Sequence, residues 1–522
     1  MPDPLLSELI QCIPGDITVA GPDVPITGLT LDSRQVQPGY LFVACPGGSL
    51  DGHHFIADAL RRGARAVVGT ERMGDELPVP YVRVRDSRQA MAYLSAAFYG
   101  FPARKMMVIG VTGTDGKTTT CNLIYQILRG VGIRAGMIST VNAMFGDQVL
   151  DTGFHVTTPD APDIQRYLGM MVQAGLTHVV LEATSHGLAQ QRVAACDFDI
   201  GVITNITHEH LDYHGSYEAY QAAKGLLFTS LFEQPKKSIK TRRGAVLNVD
   251  DSSYGYLNEI TQVAKIGYGL DSQAQVRAEN IQASPDGLSF NVVGRTLRGG
   301  DFRMAIETPL VGLFNVSNCL AAIAATAGIM GMEPKAVRLG IANLEGVPGR
   351  MERISLGQDF TTIVDFAHTP NALKRALEAA RPLTRGRLIA VFGSAGLRDR
   401  QKRRMMAEVS AELADLTVLT AEDPRTESLS DILAEMAAGA ESKGGVEGKT
   451  FWRVSDRGEA IRLAVQMAQP GDLVIACGKG HEQSMCFGAT EYPWDDRTAM
   501  RAALSERLGV EGPPMPALPT SG

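Results

Sequence analysis

The residues best suited to chemistry lie between 106 and 120, where the chain reads MMVIGVTGTDGKTTT. Three glycines in this stretch let a loop turn its N–H groups inward around phosphate oxygens, and the start of the following helix adds partial positive charge. Lys117 can reach the terminal phosphates of a nucleotide, and the hydroxyl of Thr118 can bind Mg²⁺. Five residues, not the usual four, separate the first glycine from the last. The loop predicts nucleotide phosphate binding, and the alternative is a glycine-rich turn without a ligand.

Three further residues lie where a metal ion or a phosphate would need them. Glu182 directly follows an apolar strand, so its carboxylate can hold Mg²⁺ beside the loop, although it could also face the start of a helix. His210 belongs to the stretch HEHLDYH, and a metal, phosphate or structural role for it stays open. Lys224 lies on the next helix, where a lysine is ordinarily solvated.

A second group of polar residues lies further along the chain. Asn315 is near the start of an apolar helix, which it could simply cap. Arg350 and Asp365 could reach a nucleotide, although a surface ion pair is the simpler interpretation. His368 follows Asp365 closely and is a candidate general base.

Length, net charge and cysteine spacing argue against several classes of protein. The chain has 522 residues, which is too many for one core, and its net charge of −7 argues against nucleic-acid binding. The seven cysteines form no CxxC pair, which indicates free thiols and neither a zinc site nor a disulfide framework. We find neither a signal peptide nor an apolar run of about 20 residues, so we expect a cytoplasmic protein without membrane insertion.

The elements that must position these residues alternate between strand and helix, which predicts an α/β fold. We expect a small N-terminal α/β domain, a central doubly wound phosphate-loop ATPase sheet and a C-terminal Rossmann-like domain, at residues 1–103, 104–345 and 346–508. A disordered, Pro/Gly-rich tail is expected at 509–522. Polar clusters follow strands of both larger domains, where open α/β sheets bind ligands, so the sequence predicts a site built between domains.

In this order the motifs resemble those of the Mur ligase family, ATP-dependent amide-forming enzymes of peptidoglycan precursor synthesis. The resemblance runs from LDSR at 31–34 to GKGHE at 478–482 and rests on GVTGTDGKTTT, TTPD, TSHGLAQQRV, TNITHEHLDYHG, AAKGLLF, GRMER, DFAHTPNAL and EDPR. Within the family these strings are most similar to the members that add the third amino acid of the peptide. Together they are highly specific, whereas the phosphate loop alone is not.

The resemblance implies a role for each matching position. ATP would be bound by Gly113, Thr114, Asp115, Gly116, Lys117, Thr118, Thr119, Asn315, Arg350 and Asp365. Mg²⁺ would be held by Thr118, Glu182, His210 and Lys224. Lys224 would act as a carbamate formed with CO₂, and Lys117, His210 and Lys224 would be catalytic. The UDP-muramoyl dipeptide would contact Ser33, Thr157, Thr158, Thr184, Gln190 and Arg192. The incoming amino acid would contact Arg398, Glu422, Asp423, Pro424, Arg425, Gly478 and Glu482.

The pocket for the incoming amino acid is where the chain departs from the family pattern. Members that use diaminopimelate usually show DNPR, whereas this chain has EDPR at 422–425. Arg398 and Arg425 favour a substrate with a distal carboxylate, which arginine binds in a bidentate manner. Asp423 would repel such a carboxylate, by about 4 kcal/mol at roughly 4 Å and an effective dielectric of about 20, and so favours lysine or ornithine. We expect meso-diaminopimelate, with lysine and ornithine as alternatives.

The resemblance implies an ATP- and Mg²⁺-dependent ligase that joins this amino acid to UDP-N-acetylmuramoyl-L-alanyl-D-glutamate through an acyl phosphate. We expect small-molecule substrates, a monomer, and a role in cell-wall biogenesis and cell division. The alternatives are a folyl-polyglutamate synthase, a muramoyl ligase for alanine or a dipeptide, a phosphate-loop ATPase acting on nucleic acid or a protein partner, and a non-catalytic scaffold. LDSR and HLDYHG argue against the first, and EDPR followed by GKGHE argues against the second.

Overall fold

The computed structural model describes residues 3–47, 51–72, 77–140, 143–145, 148–150, 158–207, 211–232, 235–284 and 286–520. The chain forms two compact units. The first unit comprises Met1–Val276, Arg295–Gly300 and Ala321–Met332. The second comprises Arg277–Gly294, Asp301–Leu320 and Glu333–Gly522. Among the described helices, none combines the length and apolar character needed to cross a bilayer.

The first unit begins with a small five-stranded sheet. Its strands are β1 (Thr18–Ala20), β2 (Gly28–Thr30), β3 (Tyr40–Val43), β4 (Ala66–Gly69) and β5 (Tyr81–Arg83), in the order β1-β5-β4-β3-β2. Only β1 is antiparallel to its neighbour. The helices of this part are α1 (Leu6–Ile10), α2 (Ile56–Arg61) and α3 (Ser87–Phe98), with 3₁₀ turns at Ser33–Gln35, Gly52–Phe55 and Pro102–Lys105. One face of the sheet and α3 share a core, in which Leu41, Val68 and Leu94 are buried. The predicted small α/β fold is confirmed here.

The rest of the first unit is built on a larger sheet. Its strands are β6 (Met107–Thr112), β7 (Ala135–Ile138), β8 (Ala143–Phe145), β9 (Gln148–Leu150), β10 (His178–Glu182), β11 (Ile200–Ile203), β12 (Gly244–Asn248) and β13 (Lys265–Gly269). Within this unit they lie in the order β13-β12-β11-β6-β10-β7-β8-β9, and all pairs from β13 to β7 are parallel. The helices are α4 (Lys117–Gly130), α5 (Ala161–Gln173), α6 (Ser185–Ala189), α7 (Leu211–His214), α8 (Tyr217–Thr229) and α9 (Tyr254–Ile260). Every residue of β6 is buried, as expected for a parallel strand covered on both faces.

Residues 276–342 contribute three longer strands and two helices. The strands β14 (Val276–Ser284), β15 (Gly287–Arg295) and β16 (Asp301–Thr308) lie in the order β16-β15-β14. Helix α10 (Phe314–Ile323) continues into a π-helical segment at Ala324–Met330 and is followed by α11 (Pro334–Ala342). Burial alternates strictly along β16, which is typical of a strand with one solvated face. Residues 276–308 are therefore rich in β-structure.

The remainder of the second unit is a doubly wound sheet. Its strands are β17 (Glu352–Arg353), β18 (Thr361–Asp365), β19 (Leu388–Phe392), β20 (Leu416–Leu419), β21 (Phe451–Arg453) and β22 (Leu473–Cys477), in the order β17-β18-β22-β19-β20-β21. All pairs are parallel except β17 with β18. A hairpin, β23 (Ser484–Phe487) and β24 (Thr490–Pro493), follows. The helices are α12 (Pro370–Ala380), α13 (Gln401–Leu413), α14 (Leu429–Ser442), α15 (Arg457–Met467) and α16 (Asp496–Leu508), with a 3₁₀ turn at Arg381–Leu383. Separate cores cover the two faces of this sheet, as the predicted Rossmann-like fold requires.

The tail differs from the expectation. Residues 509–522 are predicted to be disordered, but the described part of this segment packs on the second unit. Leu518 is buried in the core that includes α15 and α16, and Met515 packs against the same core. The hydroxyl of Thr520 donates to Asp456 Oδ2 at 2.9 Å. The Pro/Gly content that suggested disorder suppresses helix and strand, but it leaves these apolar side chains available for burial.

Candidate active site

The glycine-rich loop connects the end of β6 to the start of α4. Gly113 has φ 147° and Gly116 has φ 80°, which are conformations that favour glycine. A Cβ atom on Gly113 would lie 1.8 Å from the hydroxyl oxygen of Thr204, so no other residue fits there. The loop therefore brings backbone close to its neighbours at the start of a helix, as a phosphate cradle requires.

Residues that follow β11 hold this loop in place. The Thr204 hydroxyl donates to the carbonyl of Asp115 at 2.6 Å, and the Asn205 amide both donates to that carbonyl and accepts from Asp115 N–H, at 3.2 and 3.0 Å. The N–H of Thr114 donates to the carbonyl of Asn205 at 2.8 Å. Sequence reasoning missed Thr204 and Asn205. Their position directly after a buried strand was the available signal.

Lys117 is the first residue of α4. Its ammonium folds back over the loop and donates to the carbonyl of Thr114 at 2.7 Å. Thr119, in the same turn, is buried. The charge of Lys117 therefore lies beside the loop backbone that would surround phosphate oxygens.

Glu182 and Thr118 meet beside the loop. Strand β10 pairs with β6 so that Glu182 is level with Val111, and the carboxylate is almost fully buried. Both of its oxygens lie 3.1 Å from the Thr118 hydroxyl, which donates to them, and Oε2 also accepts from Thr140 N–H at 3.1 Å. A carboxylate and a hydroxyl are hard oxygen ligands of the kind Mg²⁺ prefers, so the residues present fit this ion.

Lys224 contacts the same loop from α8. Its side chain is 1% exposed, so it is not solvated as a lysine on a helix ordinarily is. The ammonium donates to the carbonyl of Gly113 at 2.6 Å and lies 4.5 Å from the centre of the Tyr220 ring. The Tyr220 hydroxyl in turn lies 3.0 Å from that of Thr114. The structure therefore brings Lys117, Thr118, Glu182 and Lys224 around one loop. The predicted His210 and Thr157 lie outside the described residues.

Four residues predicted to contact the muramoyl dipeptide form one hydrogen-bonded network. The hydroxyls of Thr158 and Thr184 lie 3.0 Å apart, and Thr158 donates to the carbonyl of Glu182 at 3.1 Å. The Arg192 guanidinium donates to the carbonyl of Thr158 and to Gln190 Oε1, both at 2.7 Å. This network is therefore tied directly to the Glu182 backbone. Ser33, in the five-stranded part of the unit, is buried, and its hydrogen bond lowers the pKa of Asp58.

In the second unit, Asp365 is the last residue of β18, and its carboxylate binds two backbone N–H groups. Its two oxygens accept from the N–H groups of Met351 and Ala367, at 2.7 and 2.9 Å. The guanidinium of Arg350 lies 4.5 Å from the centre of the Phe366 ring. Arg350 is therefore stacked on an aromatic ring beside Asp365 in the sequence.

Two further predicted residues in the second unit have local contacts. The amide of Asn315 donates to the carbonyl of Val311 at 2.7 Å and accepts from Asn318 at 2.9 Å. His368 Nδ1 lies 2.9 Å from the carbonyl of Phe366. These contacts orient both side chains, and their predicted roles stay predictions.

The loops after β19 and β20 face each other at the carboxyl end of their sheet. A Cβ atom on Gly396 would lie 2.0 Å from the carbonyl of Pro424, so the two backbones are in direct contact. Leu397, Asp423 and Arg425 have positive φ values of 56°, 41° and 54°. Non-glycine residues hold such conformations at a cost and often do so at functional sites. Arg398 is exposed on the first of these loops.

Asp423 is paired within the protein. Its oxygens accept from the ammonium of Lys479 at 3.0 and 3.1 Å, and Oδ1 also accepts from Cys486 N–H at 2.9 Å. Lys479 also forms an ion pair with Glu482 at 2.5 Å. Sequence reasoning missed Lys479, although a lysine between two glycines just after a buried strand was a visible signal.

Glu422 lies at the floor of the same loops. It is buried, and burial raises the pKa of its carboxyl from 4.5 to about 7 against the opposing charges of Lys402 and Arg457. Its Oε2 has no hydrogen-bond partner among the described residues. A Cβ atom on Gly478, which has φ 114°, would lie 2.8 Å from this oxygen. Glycine at 478 therefore leaves room for a buried carboxyl group.

Arg457 is a second residue that sequence reasoning missed. Its side chain is fully buried and forms an ion pair with Asp496 at 2.7 Å. The same guanidinium donates to the carbonyls of Ala421 and Cys477, at 3.1 and 2.8 Å. It thus connects the residues that precede EDPR and GKGHE, and positions both loops.

Comparison with known proteins adds three family matches along the chain. Residues 25–99 match the model described as Mur ligase family, catalytic domain. Residues 111–326 match the Mur ligase middle domain, and residues 349–480 match the Mur ligase, glutamate ligase domain.

Whole-length relatives give the same result. The chain is 43% identical over 516 residues to a UDP-N-acetylmuramyl-tripeptide synthetase of Roseiflexus sp. (strain RS-1), covering 97% of this chain and 100% of the relative. It is 42% identical over 502 residues to a UDP-N-acetylmuramoyl-L-alanyl-D-glutamate--2,6-diaminopimelate ligase of Geobacillus thermodenitrificans (strain NG80-2), covering 96% and 99%. A solved structure of a ligase with that same name matches with 32% identity and a TM-score of 0.62, covering 93% of this chain and 96% of the other.

Proposed function

The chain belongs to the Mur ligase family of ATP-dependent, amide-forming ligases, and we propose that it adds meso-diaminopimelate to UDP-N-acetylmuramoyl-L-alanyl-D-glutamate. One observation carries this proposal furthest. Lys117, Thr118, Glu182 and Lys224 all contact, or lie directly beside, a single glycine-rich loop at the start of α4. A relative with 42% identity is named for this reaction.

The reaction joins two groups that do not combine unaided, because a carboxylate has no suitable leaving group. In the proposed reaction, a γ-carboxylate oxygen of D-glutamate attacks the γ-phosphorus of ATP, and ADP leaves. The free amine of the amino acid then attacks the carbonyl carbon of the acyl phosphate. The tetrahedral intermediate expels phosphate, the nitrogen loses its proton, and an amide remains.

The first step brings two anions together, so it requires positive charge and oriented dipoles. Lys117 supplies a cation at the phosphates, and the N–H groups of 113–119 surround their oxygens. Mg²⁺, when bound, neutralises charge on the transferred phosphoryl group. In the proposal, Thr118, Glu182, His210 and Lys224 as its carbamate hold this ion. The contact of Lys224 with Gly113, in the phosphate loop, supports its assignment to this group.

The remaining site residues divide between the substrates. We propose that Asn315, Arg350 and Asp365 contact the nucleotide, and that Ser33, Thr157, Thr158, Thr184, Gln190 and Arg192 contact the UDP-muramoyl dipeptide. The network from Thr158 to Arg192 supports a shared role because its members are already oriented toward one another. The amino acid is assigned to Arg398, Glu422, Asp423, Pro424, Arg425, Gly478 and Glu482. We further propose domain boundaries at 103/104 and 345/346, a monomer, and a cytoplasmic location.

The proposal is tested by phosphate release from ATP and by the mass of the product, using the full chain with Mg²⁺. We expect release to require both the UDP-dipeptide and diaminopimelate, and the product to gain one diaminopimelate residue. Release that is independent of the dipeptide but stimulated by nucleic acid would instead support a phosphate-loop ATPase of another class.

A further inference from the structure

The pocket contains a buried lysine between two carboxylates. The side chain of Lys479 is 2% exposed and lies between Asp423, at 3.0 Å, and Glu482, at 2.5 Å. Burial lowers the pKa of the Lys479 ammonium, but the charges of Glu482 and Asp423 outweigh it, so the net effect is a raised pKa. Lys479 therefore stays a cation.

The carboxylate of Asp423 is hydrogen-bonded to Lys479 and to the backbone of Cys486. Three hydrogen bonds reach its carboxylate, two from Lys479 and one from Cys486 N–H. Such charge-assisted bonds stabilise the carboxylate within the protein, while Lys479 shares its positive charge with Glu482. Asp423 consequently repels a distal carboxylate of the substrate less strongly than an unpaired acid would.

Arg425, two residues later, is held differently. Its backbone is fastened to the hairpin, since its N–H donates to the carbonyl of Cys486 and its carbonyl accepts from Gly488 N–H. Its Nε is buried and has no hydrogen-bond partner among the described residues. A buried donor without a partner favours a ligand that supplies an acceptor. The pocket therefore contains the carboxylate of Asp423, which is paired with Lys479, and the Nε of Arg425, which has no hydrogen-bond partner among the described residues.

We propose that Lys479 is the internal counter-ion of Asp423, and that it thereby makes this pocket selective for a diamino acid with a second, distal carboxylate. The inference rests on the proposed function and deepens it. Lys479 is a positioning residue because it acts through Asp423 and does not bind the substrate. Without that ammonium, Asp423 would keep only the hydrogen bond from Cys486 N–H, and its uncompensated negative charge would favour substrates that end in an amine alone.

The test compares kcat/KM for meso-diaminopimelate and L-lysine in four full-length proteins: the natural chain, Lys479→Met, Asp423→Asn and the double variant. We expect the natural chain to prefer diaminopimelate, and Lys479→Met to lose about 100-fold of that preference, mainly through KM for diaminopimelate. Asp423→Asn should keep the preference. The double variant should recover at least about tenfold of the selectivity lost in Lys479→Met.

The double variant is decisive because Lys479→Met also frees Glu482, and only the added loss of the Asp423 charge can restore selectivity. Lys449→Met, at an exposed position of the same unit, is the matched control and should change nothing. Should Lys479→Met fail to fold, Lys479→Gln carries the same expectation. A double variant no more selective than Lys479→Met, or a natural chain that prefers lysine, overturns the inference while the ligase function stands. Absence of ligation with every amino acid overturns the proposed function and this inference with it.

Discussion

Lys224 shows that the surroundings of a residue decide its chemical role. On a helix with no other information a lysine is taken as solvated, yet this one is buried and bonded to the phosphate-loop backbone at Gly113. A buried ammonium is costly unless it has polar contacts, and the Gly113 carbonyl and the Tyr220 ring supply them here. The burial therefore agrees with the role that the family resemblance implies.

Replacing Lys224 by Ala tests that role directly. We expect loss of ligation by at least about 100-fold, because the group that helps to organise charge at the phosphates is gone. Added short carboxylic acids should restore part of the rate, since they can occupy the vacated space as anions. Ligation is measured by product formation with and without acetate, and full activity in the variant would contradict the carbamate role.

Glu422 is the second residue whose surroundings decide its chemistry. Burial raises the pKa of its carboxyl to about 7, so the folded state holds a proton that the unfolded state loses near 4.5. Because the folded state binds more protons between these values, stability falls as pH rises from about 4.5 to about 7.

We expect Glu422→Gln to remove this dependence and to make the protein more stable than the natural chain at pH 8, by roughly 3 kcal/mol at most. Thermal unfolding at pH 5 and pH 8 measures the difference. Glu441→Gln, at an exposed position in the same unit, is the control and should show no such change with pH. Equal pH dependence in the natural chain and in Glu422→Gln would show that this carboxyl ionises normally.

At the level of elements, the phosphate loop depends on two strands that are distant in sequence. β6 leads into the loop, and Thr204 and Asn205, which directly follow β11, hold the loop backbone at Asp115. The parallel pairing of β6 with β11 places these residues side by side. The loop geometry is therefore a property of the sheet order as well as of the glycines.

Gly113→Ala tests this close approach. The added methyl group would lie 1.8 Å from Thr204 Oγ1, so we expect loss of nucleotide binding. Gly132→Ala is a matched control, because Gly132 also has a positive φ, 75°, but has no atom within 4 Å of the added carbon. It should cost only about 1 kcal/mol of stability and bind nucleotide normally. Calorimetric titration with ATP and Mg²⁺ measures the difference, and equal affinities would contradict the steric argument.

The positions of several strands can be predicted from the sequence. Uninterrupted apolar runs at Leu388–Phe392 and Val179–Leu181 indicate strands from the sequence, and they correspond to β19 and to the middle of β10. The stretch at Ala264–Gly269 is interrupted by a lysine and glycines, and its pattern does not reveal a partner strand. The structure forms β13 there, parallel to β12.

At the scale of the whole molecule, the carboxyl-terminal segment contributes to the second unit. Its apolar residues fill the core beside α15 and α16, and its polar end binds Asp456. A segment without helix or strand can therefore still carry stability through side-chain burial.

Leu518→Ala should destabilise the second unit by about 2 kcal/mol, because Leu518 is 5% exposed and its removal leaves a cavity. Val510→Ala is the control, since that side chain is 50% exposed and should change stability by less than about 0.5 kcal/mol. Denaturant unfolding of the full chain measures both. Identical midpoints for Leu518→Ala and the natural chain would show that the segment only rests on the surface.

The sequence alone determined the α/β class, the phosphate loop and the strand ends that carry polar groups, because these depend on local spacing and on glycine conformation. The family resemblance followed from the order of such local motifs. Tertiary structure alone decided which polar groups meet: the ammonium of Lys479 with the carboxylate of Asp423, and the ammonium of Lys224 with the carbonyl of Gly113. These partners are 56 and 111 residues apart along the chain. The energy of an ionised group depends on burial and on its nearest opposite charge, and no local pattern encodes either of them.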